Sequence, residues 1–177
     1  AAPDGVNIQG ELNGATVGRY GGAYALETGV VAVYPQSESG ALSIMAWTKP
    51  ASSAMGNTPI FSFKPPDDVM GVEPSVRFNY LAGNIQASVA GGAAQNLGPA
   101  EPNTWHHLAL TWDPVQQSGT IYYDGVPSLE FDEPLSDETA LSLGPPPDMG
   151  APQSAAVLDD LVIGHRLFDA EEIAAVA

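Results

Sequence analysis

Two adjacent histidines, His106 and His107, stand between Trp105 and Trp112 in the segment NTWHHLALTWDP, residues 103–114. Imidazoles are frequent metal ligands and catalytic bases, so this pair is the first candidate for chemistry. The segment alternates as a β-strand does, and successive side chains of a strand leave on opposite faces. The two imidazoles therefore cannot reach one ion, and we expect each to be a hydrogen-bonded structural residue.

Both faces of this predicted strand carry apolar side chains. Leu108 and Leu110 share a face with His106, whereas Ala109 shares the other face with His107. Apolar neighbours on both sides are typical of an interior strand in one of two stacked sheets. The segment therefore indicates scaffold rather than an active site.

The charge of the chain limits its partners. Five Lys and Arg against 21 Asp and Glu give a net charge of −16 over 177 residues, which would repel nucleic acid and anionic membranes. The chain has no cysteine, so it has no disulfide and no thiolate chemistry. Its apolar runs are far shorter than the about 18 residues of a membrane span, so we expect no membrane insertion.

Short alternating segments dominate the chain. Residues 41–50, 58–64, 74–83 and 84–92 alternate polar with apolar side chains and are bounded by Gly, Pro or Asn. A spacing of about 8–12 residues between strands is typical of an all-β sandwich. The length fits one domain, which we assign to residues 1–177.

One hairpin and one helix are predicted from local signals. Asp124-Gly125 lies inside the β-rich segment 119–131, and Asp-Gly favours a two-residue hairpin turn. Asp169 offers an N-cap, and Glu172 three residues later completes a capping box. We therefore expect a single short helix at the end of the chain.

Three segments, in this order, resemble the laminin G-like domains of the concanavalin A-like lectin and glucanase superfamily. ALSIMAWTKP resembles the early core strand, and NTWHHLALTWDPVQQSGTIYYDGVP resembles the Trp-x-His strand with its Tyr-x-Asp-Gly hairpin. AAVLDDLVIGHRLFDAEEIAAVA resembles the closing strand and capped terminal helix. The resemblance implies a two-sheet antiparallel jelly-roll sandwich with one short C-terminal helix.

The resemblance also implies a role. Such domains commonly serve as non-catalytic modules of secreted or cell-surface proteins, and they bind glycans or protein surfaces, often with calcium. We expect one binding module of a larger extracellular protein, with a carbohydrate or a protein as ligand. The alternative is a spacer or interaction domain of a large adhesin-type protein without a small ligand.

Asp159 and Asp160 are the acidic pair to which the resemblance points as candidate ligands of a structural calcium. Calcium prefers clustered carboxylate and carbonyl oxygens. Alternation sends the two side chains to opposite faces, so at most one is a direct ligand unless the strand bulges. The oxygen donors near the N-terminus are Asp4, Asn7, Glu11 and Asn13, of which we take Asp4 as the candidate. The alternative for Asp159 is a hydrogen bond to a loop backbone.

Some relatives of this fold are glycoside hydrolases that place three acids on one strand face through a Glu-x-Asp-x-Glu pattern. Glu130 and Asp132 begin that pattern, but Pro134 stands where the third acid is needed. We interpret the segment as a polar strand edge and the protein as not an enzyme, with a glucanase-type hydrolase as the least favoured alternative.

Glycan binding needs exposed aromatic faces and planar polar groups. Tyr80, Asn79 and Tyr122 are the candidates for ligand binding. The sequence leaves their exposure open, and core packing is the alternative for each.

Overall fold

The computed structural model describes residues 7–9, 15–19, 22–25, 30–33, 40–51, 57–64, 75–135, 140–144 and 156–177. Within these ranges 14 strands form two seven-stranded antiparallel sheets, and one helix follows them. The first sheet contains, from edge to edge, β1 (Asn7–Gln9), β4 (Val30–Val33), β13 (Ala140–Leu143), β6 (Thr58–Lys64), β7 (Val76–Leu81), β8 (Asn84–Val89) and β9 (Gln95–Pro99). The second contains β12 (Val126–Phe131), β11 (Ser118–Tyr123), β10 (His106–Asp113), β5 (Leu42–Pro50), β14 (Ala156–Gly164), β3 (Gly22–Ala25) and β2 (Ala15–Val17). The predicted all-β, two-sheet sandwich is confirmed.

The inner faces of the two sheets form one apolar core. In β5 the residues Leu42, Ile44 and Ala46 belong to this core, and Ser43 and Met45 between them do not, as the period of two requires. The largest fully buried side chains are Tyr80, Phe61, Phe63, Phe78, Ile44, Ile60, Ile85, Leu108, Leu110, Ile121 and Leu141. Each such side chain contributes about 1.5–3 kcal/mol of transfer free energy.

The hairpin between β11 and β12 turns at the predicted dipeptide. Asp124 and Gly125 have φ angles of 47° and 78°, the positive values that a type I′ turn requires. Gly125 is also needed for space, because a Cβ there would lie 2.8 Å from the Cβ of Ala177. The predicted two-residue turn is confirmed.

Helix α1 (Ala170–Val176) packs on the outer face of the second sheet rather than in the core. Both bonds of the predicted capping box are present between Asp169 and Glu172. Arg166 holds the Glu172 carboxylate through two hydrogen bonds, and these bonds lower the pKa of Glu172 to about 2. Ile173 is the buried residue of the helix and joins Ala109 in a small second cluster. The predicted single terminal helix is confirmed.

Candidate functional site

The two histidines lie on opposite faces of β10, an interior strand between β5 and β11. The Tyr123 hydroxyl donates to the carbonyl oxygen of Pro99 at 2.6 Å, so its oxygen is left to accept a bond from Nδ1 of His106 at 2.7 Å. Nδ1 also lies 3.1 Å from Oδ2 of Asp124. Nδ1 therefore carries the proton, and His106 has the predicted hydrogen-bonded structural role.

His107 lies on the outer face of the second sheet and is fully buried. Its ring packs against Trp47 with 5.1 Å between ring centroids. Neither ring nitrogen has a hydrogen-bond partner among the residues described, so the predicted hydrogen bond is wrong for this histidine. Burial lowers the pKa of His107 to about 4, with Asp124 opposing the shift and Arg19 adding to it. His107 is thus a neutral packing residue at pH 7.

Asp159 is a buried carboxylate on β14, directly opposite Trp47 of β5. Its Oδ2 accepts a hydrogen bond from the backbone N–H of Arg19 at 2.6 Å, and its Oδ1 accepts one from the N–H of Asp160 at 3.0 Å. The hydrogen bond to a loop backbone that the alternative for Asp159 predicts is therefore present, and calcium binding stays a prediction.

Asp160 stands in a bulge of β14, where the pairing with β5 shifts between Asp159 and Val162. Its φ of 48° is in the left-handed region, which non-glycine residues adopt at a cost. Partial burial and then the charge of Asp159 raise the pKa of Asp160, and the charge of Arg19 opposes that rise. The bulge therefore breaks the rule that successive side chains of a strand point to opposite faces. This is the case in which the sequence pattern allows both Asp159 and Asp160 to be ligands.

The described residues near Asp159 do not by themselves fit a calcium site. Calcium takes about 6–8 oxygen ligands, whereas no three His, Asp or Glu side chains cluster for metal binding in the described ranges. The chain also supplies a positive group next to this pair. The guanidinium carbon of Arg19 lies 3.3 Å from the ring centroid of Trp47, the register partner of Asp159. Asp4 lies outside the described residues, so its part in calcium binding stays a prediction.

The acidic segment after the hairpin lies at a sheet edge. Glu130 is exposed on the edge strand β12, where it pairs with Thr120 of β11. Asp132 and Glu133 follow the end of that strand and are exposed as well. This placement agrees with a polar strand edge and assembles no group of three acids on one face.

The three residues predicted for ligand binding are all buried. The hydroxyls of Tyr80 and Thr48 share a hydrogen bond of 2.7 Å inside the core, and burial raises the pKa of Tyr80. Tyr122 packs beside Ile173 of α1. Asn79 lies on the outer face of the first sheet, with its Oδ1 unpaired among the described residues. None of the three offers an exposed ring face to a sugar.

The outer face of the first sheet carries a set of polar side chains, which we call the polar face. Its members share the side of the sheet opposite to the core and lie on β13, β6, β7, β8 and β9: Ser142, Ser62, Arg77, Asn79, Gln86, Ser88 and Asn96. Register aligns them in two rows, one from Ser142 through Ser62 and Arg77 to Ser88, and one from Asn79 through Gln86 to Asn96.

Accessibility rises across the polar face from β13 towards β9. Ser142 and Ser62 are buried, Gln86 and Ser88 are half-buried, and Asn96 is exposed. The Asn96 amide is held in place, since its Nδ2 donates to Oδ1 of Asn84 at 3.2 Å and its Oδ1 accepts from the N–H of Gly98 at 3.1 Å. Sequence reasoning missed this face except for Asn79, although the polar-apolar alternation of VRFNY and NIQASV indicates it.

A family model described as the concanavalin A-like lectin/glucanases superfamily, of the laminin G type, matches residues 21–174. The chain belongs to this superfamily. The match includes every strand from β3 to β14 and most of α1, so it confirms the resemblance stated above. A comparison with curated proteins gives no match.

Solved structures share the fold of this superfamily member at low sequence identity. Trypanosoma rangeli sialidase is 19% identical with a TM-score of 0.70, over 97% of this chain and 29% of that one. The same sialidase in complex with sialic acid is 20% identical with a TM-score of 0.66, over 95% and 28% of the two chains. The binding domain of botulinum neurotoxin serotype G is 13% identical with a TM-score of 0.66, over 99% and 47%. The chain thus spans less than half of these neighbours.

None of the helices in the described part of the chain has the length and apolar character needed to cross a bilayer.

Proposed function

We propose that this domain is a non-catalytic carbohydrate-binding module of a secreted or cell-surface protein, and that the polar face holds the glycan. The observation that carries the proposal is the two rows of amide, hydroxyl and guanidinium groups across adjacent strands of the first sheet. Such groups hydrogen-bond sugar hydroxyls from a rigid platform, which spares the ordering cost of a loop site.

Gln86 and Ser88 are the central contacts in this proposal. They project from one strand on the same face, are half-buried, and stand next to Arg77 and Asn79 of β7. A half-buried amide or hydroxyl is both reachable by a ligand and partly desolvated, which strengthens its hydrogen bonds. The net charge of −16 disfavours acidic sugars, so neutral glycans are the favoured class.

The absence of catalysis is part of the proposal. Glycoside hydrolysis needs two carboxylates on either side of the scissile bond. The described members of the polar face are amides, hydroxyls and one arginine, and Glu130 lies on the other sheet. A glycan on the polar face would therefore meet no acid and base pair from these members.

The fold neighbours agree with a binding role without assigning one. One neighbour was solved with sialic acid, and another is a toxin binding domain. Because each is at most 20% identical to this chain, they support the fold on which the proposal rests and not the ligand.

A glycan array followed by titration calorimetry tests the proposal. The wild-type domain should retain at least one class of neutral glycan, and the double variant Gln86→Ala, Ser88→Ala should lose about tenfold or more in affinity, since two hydrogen bonds disappear. The matched control is Thr120→Ala with Glu130→Ala, which removes a polar cross-strand pair from the outer face of the other sheet.

Two results would refute this assignment. The first is an array on which the wild-type domain binds no glycan, and the second is an equal loss of affinity in the control variant. Release of reducing sugar from a bound glycan would refute the non-catalytic part alone.

A further inference from the structure

The cluster that surrounds Asp159 contains a cation supplied by the chain itself. Asp159 and Trp47 are register partners on β14 and β5, and Arg19 reaches both. Its backbone N–H binds the carboxylate of Asp159, and its guanidinium lies on the ring of Trp47. One arginine thus contacts Asp159 through its backbone and Trp47 through its side chain, and its charge also acts on Asp160, whose pKa rise it opposes.

A buried carboxylate needs such compensation. Removing a carboxylate from water is unfavourable unless hydrogen bonds and an opposite charge replace the lost hydration. Asp159 is 6% exposed and has an N–H donor on each oxygen. The neighbouring His107 is a neutral ring, so it adds no positive charge here.

The ring of Trp47 fixes the position of this charge. A guanidinium carbon 3.3 Å from the ring centroid is in stacking contact with the indole. Guanidinium groups stack on aromatic faces and remain charged at all physiological pH values. The indole itself is 5% exposed and lies against His107, so the platform under the arginine is rigid.

We propose that the Arg19 guanidinium is the resident cation of the Asp159–Asp160 pair and takes the place of the calcium ion that the family resemblance implies. A divalent ion beside Asp159 would meet the repulsion of a guanidinium already held on Trp47. The fold of this domain is then independent of calcium. The hydrogen bond from Arg19 to Asp159 joins residues 140 positions apart in the chain.

The first test is thermal unfolding with and without calcium. The wild-type Tm should be the same in EGTA and in millimolar calcium, and titration calorimetry should give no calcium heat. Arg19→Gln should lower the Tm by about 5 °C. The matched control is Lys49→Gln, because Lys49 also holds a cation over an indole, with Nζ 4.7 Å from the Trp105 centroid. The control should lower the Tm less, since it removes a cation–π contact alone.

A double-mutant cycle separates charge compensation from a packing role of Arg19. Asp160→Asn removes one charge of the pair, and asparagine tolerates the positive φ of this position. In the Asp160→Asn background the Tm loss caused by Arg19→Gln should shrink to less than half, whereas that of Lys49→Gln should not change.

The outcomes decide the matter independently of any glycan result. A wild-type Tm that rises with calcium would overturn the inference. So would an Arg19→Gln loss equal to that of Lys49→Gln, or a loss that is unchanged by Asp160→Asn.

Discussion

The two sheets have similar inner faces and different outer faces. The outer face of the second sheet is covered in part by α1 and by Arg19, and the residues beneath include Trp47, His107, Ala109 and Tyr122. The outer face of the first sheet carries the polar face, with hydroxyls, amides and Arg77. The same alternation of strands therefore serves two different purposes on the two sides of the molecule.

The difference shows how a sandwich assigns its outer surfaces. A covered face can exchange polar side chains for a second small core, which here is centred on Ile173. The outer face of the first sheet keeps polar side chains, and its accessible part towards β9 can meet a ligand. Stability should therefore depend on the covered face, and binding should depend on the polar face.

Truncating Ile173, the buried residue of α1, should have the largest effect on stability. Ile173→Ala should lower the free energy of unfolding by about 4 kcal/mol, because a fully buried side chain leaves a cavity between α1 and the sheet. Urea titration measures the loss. Val176→Ala, on the exposed side of the same helix, is the control and should change stability by less than about 0.5 kcal/mol. Equal losses in the two variants would mean that the cover contributes little.

The pH dependence of stability measures how completely α1 and Arg19 exclude water from His107. The pKa of His107 is about 4 in the folded chain, below its ordinary value of 6.5. Between these pH values His107 is therefore protonated in the unfolded chain and neutral in the folded chain. The contribution of this group is therefore fully present above pH 6.5 and is lost as the pH falls towards about 4, by roughly 3 kcal/mol.

The comparison with a ring that cannot titrate isolates this effect. Unfolding free energies of the wild type and of His107→Phe, measured by urea titration from pH 7.5 down to about 4, should differ in slope across the window. Identical slopes would place water beside His107 and contradict a sealed face.

Substitutions on the polar face should have the smallest effect on folding. Gln86→Ala with Ser88→Ala should change the free energy of unfolding by about 0.5 kcal/mol or less, because neither side chain is part of the core. The measurement is a urea titration of the variant used for glycan binding. A loss of several kcal/mol would show that this face is structural, and the contrast between the two faces would fail.

The sequence predicts the sandwich well because its signals are local. Alternation along ALSIMAWTKP, the Asp124-Gly125 turn and the Asp169 cap each depend on residues close in the chain, and each is confirmed. The separation of His106 from His107 follows from the same period of two.

The site depends on long-range pairing, which the sequence does not display. Arg19 and Asp159 form a hydrogen bond although they are 140 positions apart in the chain, and no local sequence pattern predicts that contact. The polar face needs the strand order to be known, because Arg77 and Ser62 become neighbours only when β6 pairs with β7. The exposure of a side chain also depends on long-range packing. Tyr80 and Tyr122 are therefore buried, although tyrosine is found both buried and exposed in proteins.

The place of β14 in the second sheet has a consequence for folding kinetics. This strand is the last one among the described residues, yet it lies between β5 and β3 in the sheet. Early strands of the second sheet must therefore wait for a distant segment before their ladder closes. Domains with such remote contacts fold slowly, on a time scale of about milliseconds to seconds. We expect a newly synthesised chain to gain its native state in one late event, when residues 156–164 insert.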